Sequence, residues 1–378
     1  MQRADCVTAP PESKQVEILL KIQRLLVEGG FVASYKFALL QALIDLAVEL
    51  GDDSDAPLRL PIERIAEKFI GYYWRQIIPY VPARRPREVA GGGIVADQDE
   101  RYAAEPRILH QITGSRATIL DLVRNAHSGF GGSLASARAN QHAWIALVGR
   151  VARKVREMPL WKLQTVSGSA DDFLYANGRG ESVAAIELRP GVAFTFRRFH
   201  GLLQELVRSA WVRFVRRLDR NRTILGDTED LHEFLFGSER ASLEPYKVIL
   251  RDLQEGRCFY CARPVLNRSE HIDHFVPWSR YPVDLAHNFV LTDASCNDSK
   301  SDLLASVDHL ERWSSRNALL GEELSRRFDR GRLFHDIAAS RAVTRWAYFL
   351  AEQSQSKVWC SRQQTAITLD DSWRSILG

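Results

Sequence analysis

Apolar positions recur at helical spacing over most of the chain. After Pro10-Pro11, Val16, Leu19, Leu20, Leu26 and Val27 predict a helix that Gly29-Gly30 stops. Leu39, Leu40, Leu43, Ile44, Ala47 and Leu50 predict a second helix ending at Gly51, and residues 62–74 a third that closes on Tyr72-Tyr73-Trp74. Residues 82–97, with Arg84-Arg85-Pro86-Arg87 and Gly91-Gly92-Gly93, lack any period and read as an exposed loop. Helical patterning returns at 106–125 and 138–157, on either side of a glycine-rich stretch at 129–132. Then two short apolar runs, 183–188 and 192–196, flank Pro190-Gly191 and predict a β-hairpin, followed by a helix over 199–218. Further on, strand-like segments lie around Asp273 and at 289–292. A helix starts at about Asn297 with Leu303, Leu304, Val307 and Leu310 on its apolar face, and more helices cover 310–313, 319–328 and 333–350. The pattern predicts a mainly α (α+β) protein. Its regions are helical over 1–165, a hairpin with an arginine-rich helix over 166–245, and a third unit over 246–378.

Composition narrows the class without naming a partner. The chain has 378 residues, 45% apolar and 26% charged, long enough to bury a core without disulfide staples and too apolar to be disordered. No run of ~18 apolar residues occurs, and Met1-Gln2-Arg3-Ala4-Asp5-Cys6 lacks a signal-peptide layout, so no membrane partner is expected and a cytoplasmic location is. Lys and Arg total 51 against 47 Asp and Glu, a net charge of +4 that is neutral on average but not locally. From Arg189 to Arg222 nine arginines face only Glu205 and Asp219. Arg213, Arg216, Arg217 and Arg220 fall at i, i+3, i+4 and i+7, on one helical face with Trp211 and Phe214 nearby. Such a face can hold phosphates and stack bases, or simply solubilise the helix. Of five cysteines, Cys258 and Cys261 form a CxxC pair, Cys296 follows 35 residues later, and Cys6 and Cys360 lie near the ends. An odd count with no signal peptide favours reduced thiols, with the pair as a metal knuckle or redox motif.

The chemistry concentrates in one stretch. It reads Cys258-Phe259-Tyr260-Cys261, then His271-Ile272-Asp273-His274 with Pro277, then His287-Asn288, Asp293, Cys296-Asn297 and Lys300. Two short strands and a helix would bring Asp273 close to Asn297, two oxygen donors suited to a hard cation of the magnesium type. His274, beside the ligand, carries an imidazole, the side-chain type suited to take a proton from water near neutral pH.

This stretch resembles the HNH (ββα-metal) endonucleases, in the Asp-His…Asn…Asn variant also found in CRISPR effector nucleases. Asp273-His274 is followed by Asn288 fourteen residues after the histidine, Asn297 nine later, and Lys300 three later. The resemblance covers about residues 257–304 and implies a ββα-metal unit embedded in C-terminal helices. By it, His274 is the general base, Asp273 and Asn297 bind a catalytic Mg²⁺ or Mn²⁺, Asn288 holds the connecting loop, and Lys300 lies near the phosphate backbone. Asn297 stands where some relatives carry histidine, which favours those hard cations over Zn²⁺ at that site. Many relatives also hold a structural Zn²⁺ on two CxxC pairs. Here the second pair reads Asp293-Ala294-Ser295-Cys296, which leaves a Cys₃Asp zinc site or a degenerate knuckle of buried thiols. His271 is a substrate-side or surface histidine, and His287 a structural one.

The function implied is metal-dependent hydrolysis of DNA phosphodiesters, with prokaryotic defence against foreign DNA as its setting. The helical N-terminal region would supply recognition, a protein partner's docking site or a homodimer contact. The alternatives are an RNase or toxin-like nuclease acting on RNA, and an inactive zinc-knuckle protein that only binds nucleic acid or a partner.

Overall fold

The computed structural model describes residues 9–81, 87–89, 93–95, 106–114, 118–176, 183–225, 230–237, 243–266, 269–363 and 366–378. Helix makes up 59% of it and every sheet among the described residues has two strands, which is the mainly α (α+β) class expected. The first elements are α1 (Glu12–Glu28), α2 (Tyr35–Leu50), β1 (Leu58–Pro61) and α3 (Ile62–Gln76), then the ribbon β2 (Arg87–Val89) with β3 (Gly93–Val95). Next come α4 (Thr118–Gly129), α5 (Leu134–Ala139), α6 (Gln141–Glu157), α7 (Pro159–Lys162), β4 (Thr165–Val166), β5 (Ser169–Ala170) and β6 (Ala185–Leu188). These are followed by α8 (Val192–Arg198), α9 (His200–Arg217), α10 (Asp219–Leu225), α11 (Leu231–Phe236) and α12 (Glu244–Leu253). The rest is β7 (Glu270–His274), β8 (Phe289–Asp293), α13 (Ala294–Lys300), α14 (Val307–Arg330), α15 (Ile337–Gln353), β9 (Lys357–Val358), β10 (Ile367–Thr368) and α16 (Trp373–Leu377).

The first three helices form where the periodicity puts them, but α1 turns a different face inward. Gln15, Ile18, Ile22 and Leu25 are buried, while Val16, Leu20 and Val27 are exposed. A polar residue holds the inner face because Gln15 donates to the Pro10 carbonyl at 2.8 Å and accepts from Arg198 at 3.1 Å. Helix α2 is buried on nearly every side and forms the axis of the N-terminal core.

Several expectations change. The stretch 106–114 is extended, because other segments take its backbone groups: Ser34 N–H donates to the Gln111 carbonyl at 2.8 Å and the Asn221 amide brackets His110. No hairpin forms at Pro190-Gly191. Strand β6 pairs antiparallel with β1 instead, Leu188 opposite Leu58, and Val192 starts α8. A continuous apolar run does not distinguish a strand from a helix buried all round, and α8 is the latter. Gly191 makes the join with φ +80°, and a Cβ there would lie 2.7 Å from Asp55. Between Arg87 and Val95 the chain forms the ribbon β2–β3, whereas Arg84, Arg85 and Gly91-Gly92 lie outside the described residues, as does Cys6. The helices expected at 310–313 and 319–328 are one, α14.

One hydrophobic cluster runs from Ile18 to Leu235. A second gathers Cys258, Phe275, Trp313, Trp346 and Trp359 but takes in Val48 and Phe194 from the N-terminal helices. Where these meet, Arg197 is 1% exposed and donates to the Val48 and Gly51 carbonyls at 3.0 Å and to Asp53 at 2.8 Å. It thus caps the free carbonyls at the end of α2. Asp53 is shared with Arg345 of α15 at 3.2 Å, and Trp346 donates to the Arg197 carbonyl at 2.8 Å. Close by, Glu49 of α2 accepts from Lys68 at 2.7 Å and from the Tyr281 hydroxyl at 2.9 Å.

Arg197→Met strips that cap and leaves Asp53 with Arg345 alone. A loss of about 3 kcal/mol is expected in urea unfolding, partly recovered when Asp53→Asn is added.

Candidate active site

Strands β7 and β8 pair antiparallel with Asp273 opposite Val290 and His274 opposite Phe289, and α13 follows β8 directly. The loop between the strands is closed by Asn288, whose side chain accepts from Val276 N–H at 2.8 Å and donates to the Val276 carbonyl at 3.0 Å. That amide acts as a rung just past His274. From outside, α14 braces the same loop: Trp313 donates to the His287 carbonyl at 3.0 Å, and Arg316 reaches the carbonyls of His287 and Phe289 at 2.7 Å.

Asp273 and His274 are the last two residues of β7 and are held by different partners. The Asp273 carboxylate, 8% exposed, accepts from the Tyr260 hydroxyl at 2.5 Å and pairs with Lys300 Nζ at 2.9 Å, both on Oδ2. Oδ1 has no partner among the described residues. Burial and the Asp273 charge hold the Tyr260 hydroxyl well above its usual range, so it stays a donor. Lys300 is fully buried and also donates to the His274 carbonyl at 3.1 Å. The expectation that it reaches the phosphate backbone is corrected: its charge is engaged by Asp273 and is not presented to solvent. Asn297 lies one turn earlier on the same face of α13, about 4.5 Å back along the axis. It is half-buried and its amide makes no hydrogen bond among the described residues. One face of α13 therefore carries the Lys300 ammonium onto β7, with Asn297 one turn away on the same helix.

His274 sits edge-on to Trp278 and Phe289, and its Nε2 lies 2.9 Å from Asp284 Oδ1. A carboxylate only accepts, so in the neutral ring the proton lies on Nε2, facing Asp284, and Nδ1 carries the lone pair. Asp284 is a site residue that sequence reasoning missed, since it lies in a loop with no period to place it. His271 is exposed, and His287 is buried under α14.

Helix α13 starts three residues earlier than expected and ends at Lys300, so Leu303 and Leu304 follow it instead of lining it. Asp293 is its cap, accepting from Ser295 N–H at 3.0 Å and from the Ser295 hydroxyl.

A family model described as an HNH endonuclease matches residues 260–306, the span that holds this geometry. Those residues form an HNH unit, and the protein is a nuclease to that extent. A second model, a domain of unknown function (DUF8808), matches residues 15–235, more than half of the chain. The chain belongs to the DUF8808 family. No curated protein and no solved structure matches it. The DUF8808 match ends where the first hydrophobic cluster ends, at Leu235.

The sulfurs of Cys258, Cys261 and Cys296 lie within 4.8 Å of one another. Burial pushes the Cys258 thiol up, but hydrogen bonds from Cys261 N–H and the Thr292 hydroxyl outweigh it and the pKa ends lowered. The Cys296 thiol is raised by burial and by the charge at Cys258. Three converging soft donors fit Zn²⁺ and do not suit Mg²⁺. The expected Cys₃Asp set is corrected in its fourth member, because the Asp293 carboxylate caps α13 and stands outside the cluster.

In the DUF8808 part the four arginines do not share a face. Helix α9 ends at Arg217, so Arg213, Arg216 and Arg217 lie on it and Arg220 on α10. All four are exposed. The neighbouring aromatics turn inward: Trp211 is fully buried and donates to Gln111 at 2.9 Å, and Phe214 packs on Phe37. His200, at the other end of α9, contacts Tyr281 of the HNH unit. At 1.5 Å per residue the arginines stand roughly 20–25 Å from that contact.

Burial pushes His287 and His309 down to about 4. Unfolded, each takes up its proton near pH ~6.5, so between there and about 4 the unfolded chain binds more protons. Stability is full above that window and falls as pH drops through it, by several kcal/mol in order of magnitude. Urea midpoints measured from pH 7 to 4 should decline accordingly, and His309→Gln should flatten the slope.

Proposed function

We propose that the HNH unit is a metal-dependent DNA endonuclease, with His274 as general base and Asp273 and Asn297 as ligands of one Mg²⁺ or Mn²⁺. The observation that carries this reading is the pairing of an unengaged Asp273 Oδ1 with a His274 whose Nδ1 is left as acceptor by Asp284. The donors are two oxygens, one on the buried Asp273 and one on the half-buried Asn297, which suits a hard cation that keeps waters. Bound there, the cation would neutralise the charge building on the phosphate and the leaving oxygen. His274 takes the proton of the attacking water at Nδ1, Asp284 stabilises the imidazolium that results, and Asn288 keeps both in register. Lys300 and Tyr260 hold the Asp273 carboxylate still. Zn²⁺ on Cys258, Cys261 and Cys296 is structural in this reading.

Prokaryotic defence against foreign DNA is the setting we assign, resting on the habits of HNH nucleases in restriction and CRISPR systems, with a cytoplasmic location. Among the described residues no helix is long and apolar enough to cross a membrane. We take residues 246–378 as the nuclease region and assign the remainder to recognition of DNA or of a protein partner.

Incubation with supercoiled, linear and single-stranded DNA and with RNA, with and without Mg²⁺, tests this. Cleavage of DNA is expected, abolished by EDTA, and His274→Ala should slow it by roughly 10²–10⁴-fold. Cleavage that persists in EDTA contradicts the mechanism, and cleavage of RNA alone moves the reading to an RNase.

The exposed arginines are tested separately. Replacing Arg213 and Arg217 by serine should reduce the slope of log affinity against log salt by about 2 if both meet phosphates of a duplex. An unchanged slope means that they do not.

A further inference from the structure

Tyr260 is the third residue of the Cys258-Phe259-Tyr260-Cys261 loop, and it has no role in the reading above beyond steadying Asp273. Its side chain is 4% exposed and its ring is boxed edge-on by Phe259, His309 and Trp359, at 5.1–5.3 Å between centroids. Arg312 of α14 donates to its carbonyl at 3.2 Å. With the ring so packed and its carbonyl held, the hydroxyl points to Asp273 Oδ2 at 2.5 Å. Lys300 occupies the same oxygen at 2.9 Å. The thiol cluster and the oxygen donors are interleaved on two elements: Tyr260 precedes Cys261 in the loop, and Cys296 precedes Asn297 on α13.

We propose that Tyr260 is a positioning residue that aims Asp273 Oδ1 at the divalent cation and makes the affinity for that cation depend on the state of the Cys258, Cys261 and Cys296 cluster. This rests on the proposed role of Asp273. Three sulfurs drawn onto one soft ion hold the loop, and with it the hydroxyl, against β7. When they are released, the loop keeps Arg312 and the aromatic contacts but loses its anchor on either side of Tyr260, and the hydroxyl is held less firmly on Oδ2. Asp273 is then oriented chiefly by Lys300, an ammonium that competes with the cation for the same carboxylate. Hydrogen-bond partners of metal ligands typically contribute 10–100-fold to metal affinity.

Binding of Mn²⁺ to the full chain, followed by the electron paramagnetic resonance of free Mn²⁺, tests this without relying on cleavage. Wild type should bind one Mn²⁺ that Asp273→Asn abolishes. Tyr260→Phe, which keeps the ring and removes only the hydroxyl, should weaken that binding about 10-fold, with the zinc content by elemental analysis unchanged. Extracting the thiol-bound zinc should weaken wild type by a comparable factor and add little to Tyr260→Phe, the non-additivity expected of groups acting in one chain. Unchanged Mn²⁺ affinity in Tyr260→Phe overturns the positioning role while leaving the Asp273 site in place. An equal further loss in both proteins on extraction, or protein that carries no zinc when purified, overturns the coupling. Absence of Asp273-dependent Mn²⁺ in wild type overturns this inference together with the proposed metal site.

Discussion

The buried charges at the end of α2 tie the N-terminal helices to the HNH unit, alongside the Arg64–Asp336 pair and the His200–Tyr281 contact. Arg197 closes the carbonyls of that helix and shares Asp53 with Arg345, and Glu49 takes both Lys68 and Tyr281. Buried charges are tolerable only when each is paired and hydrogen-bonded, so the geometry of one side fixes that of the other. The apolar contacts follow the same seam, since Val48 and Phe194 belong to the core that packs under the HNH unit. The two parts are thus one polar lock with hydrophobic walls, and their relative orientation is specified more tightly than apolar packing alone would specify it.

Much of this was legible in the sequence, in proportion to how local the cause is. Helices α2, α3, α6 and α9 follow from period and punctuation, and the order and spacing of Asp273, His274, Asn288 and Asn297 identified the HNH unit. The misplaced elements have non-local causes. The 106–114 stretch has its backbone groups claimed by residues around Ser34 and Asn221, and α8 is buried all round, which erases the polar face a helix would show. The arginine count was read as a solvent-facing property, yet Arg197 is among the most buried side chains in the protein.

The site shows the same division. Residue type announced the proposed base and oxygen donors, but not the groups that contact them. Asp284 lies ten residues after His274 and Tyr260 thirteen before Asp273, separations that carry no periodic signal. Lys300 was in plain view and still misjudged, because a lysine beside a nuclease motif suggests phosphate, whereas its position on α13 faces it into the carboxylate.

The brace that α14 lays across the HNH loops bears on how such units move between proteins. Arg312, Trp313 and Arg316 satisfy carbonyls of the Cys258–Cys261 loop, the His287–Asn288 turn and β8. All three lie beyond residue 306, where the HNH match stops. A segment cut at the edge of the recognisable motif would carry orphaned acceptors into its new host. In this protein the structural unit is therefore larger than the matched span and takes in α14.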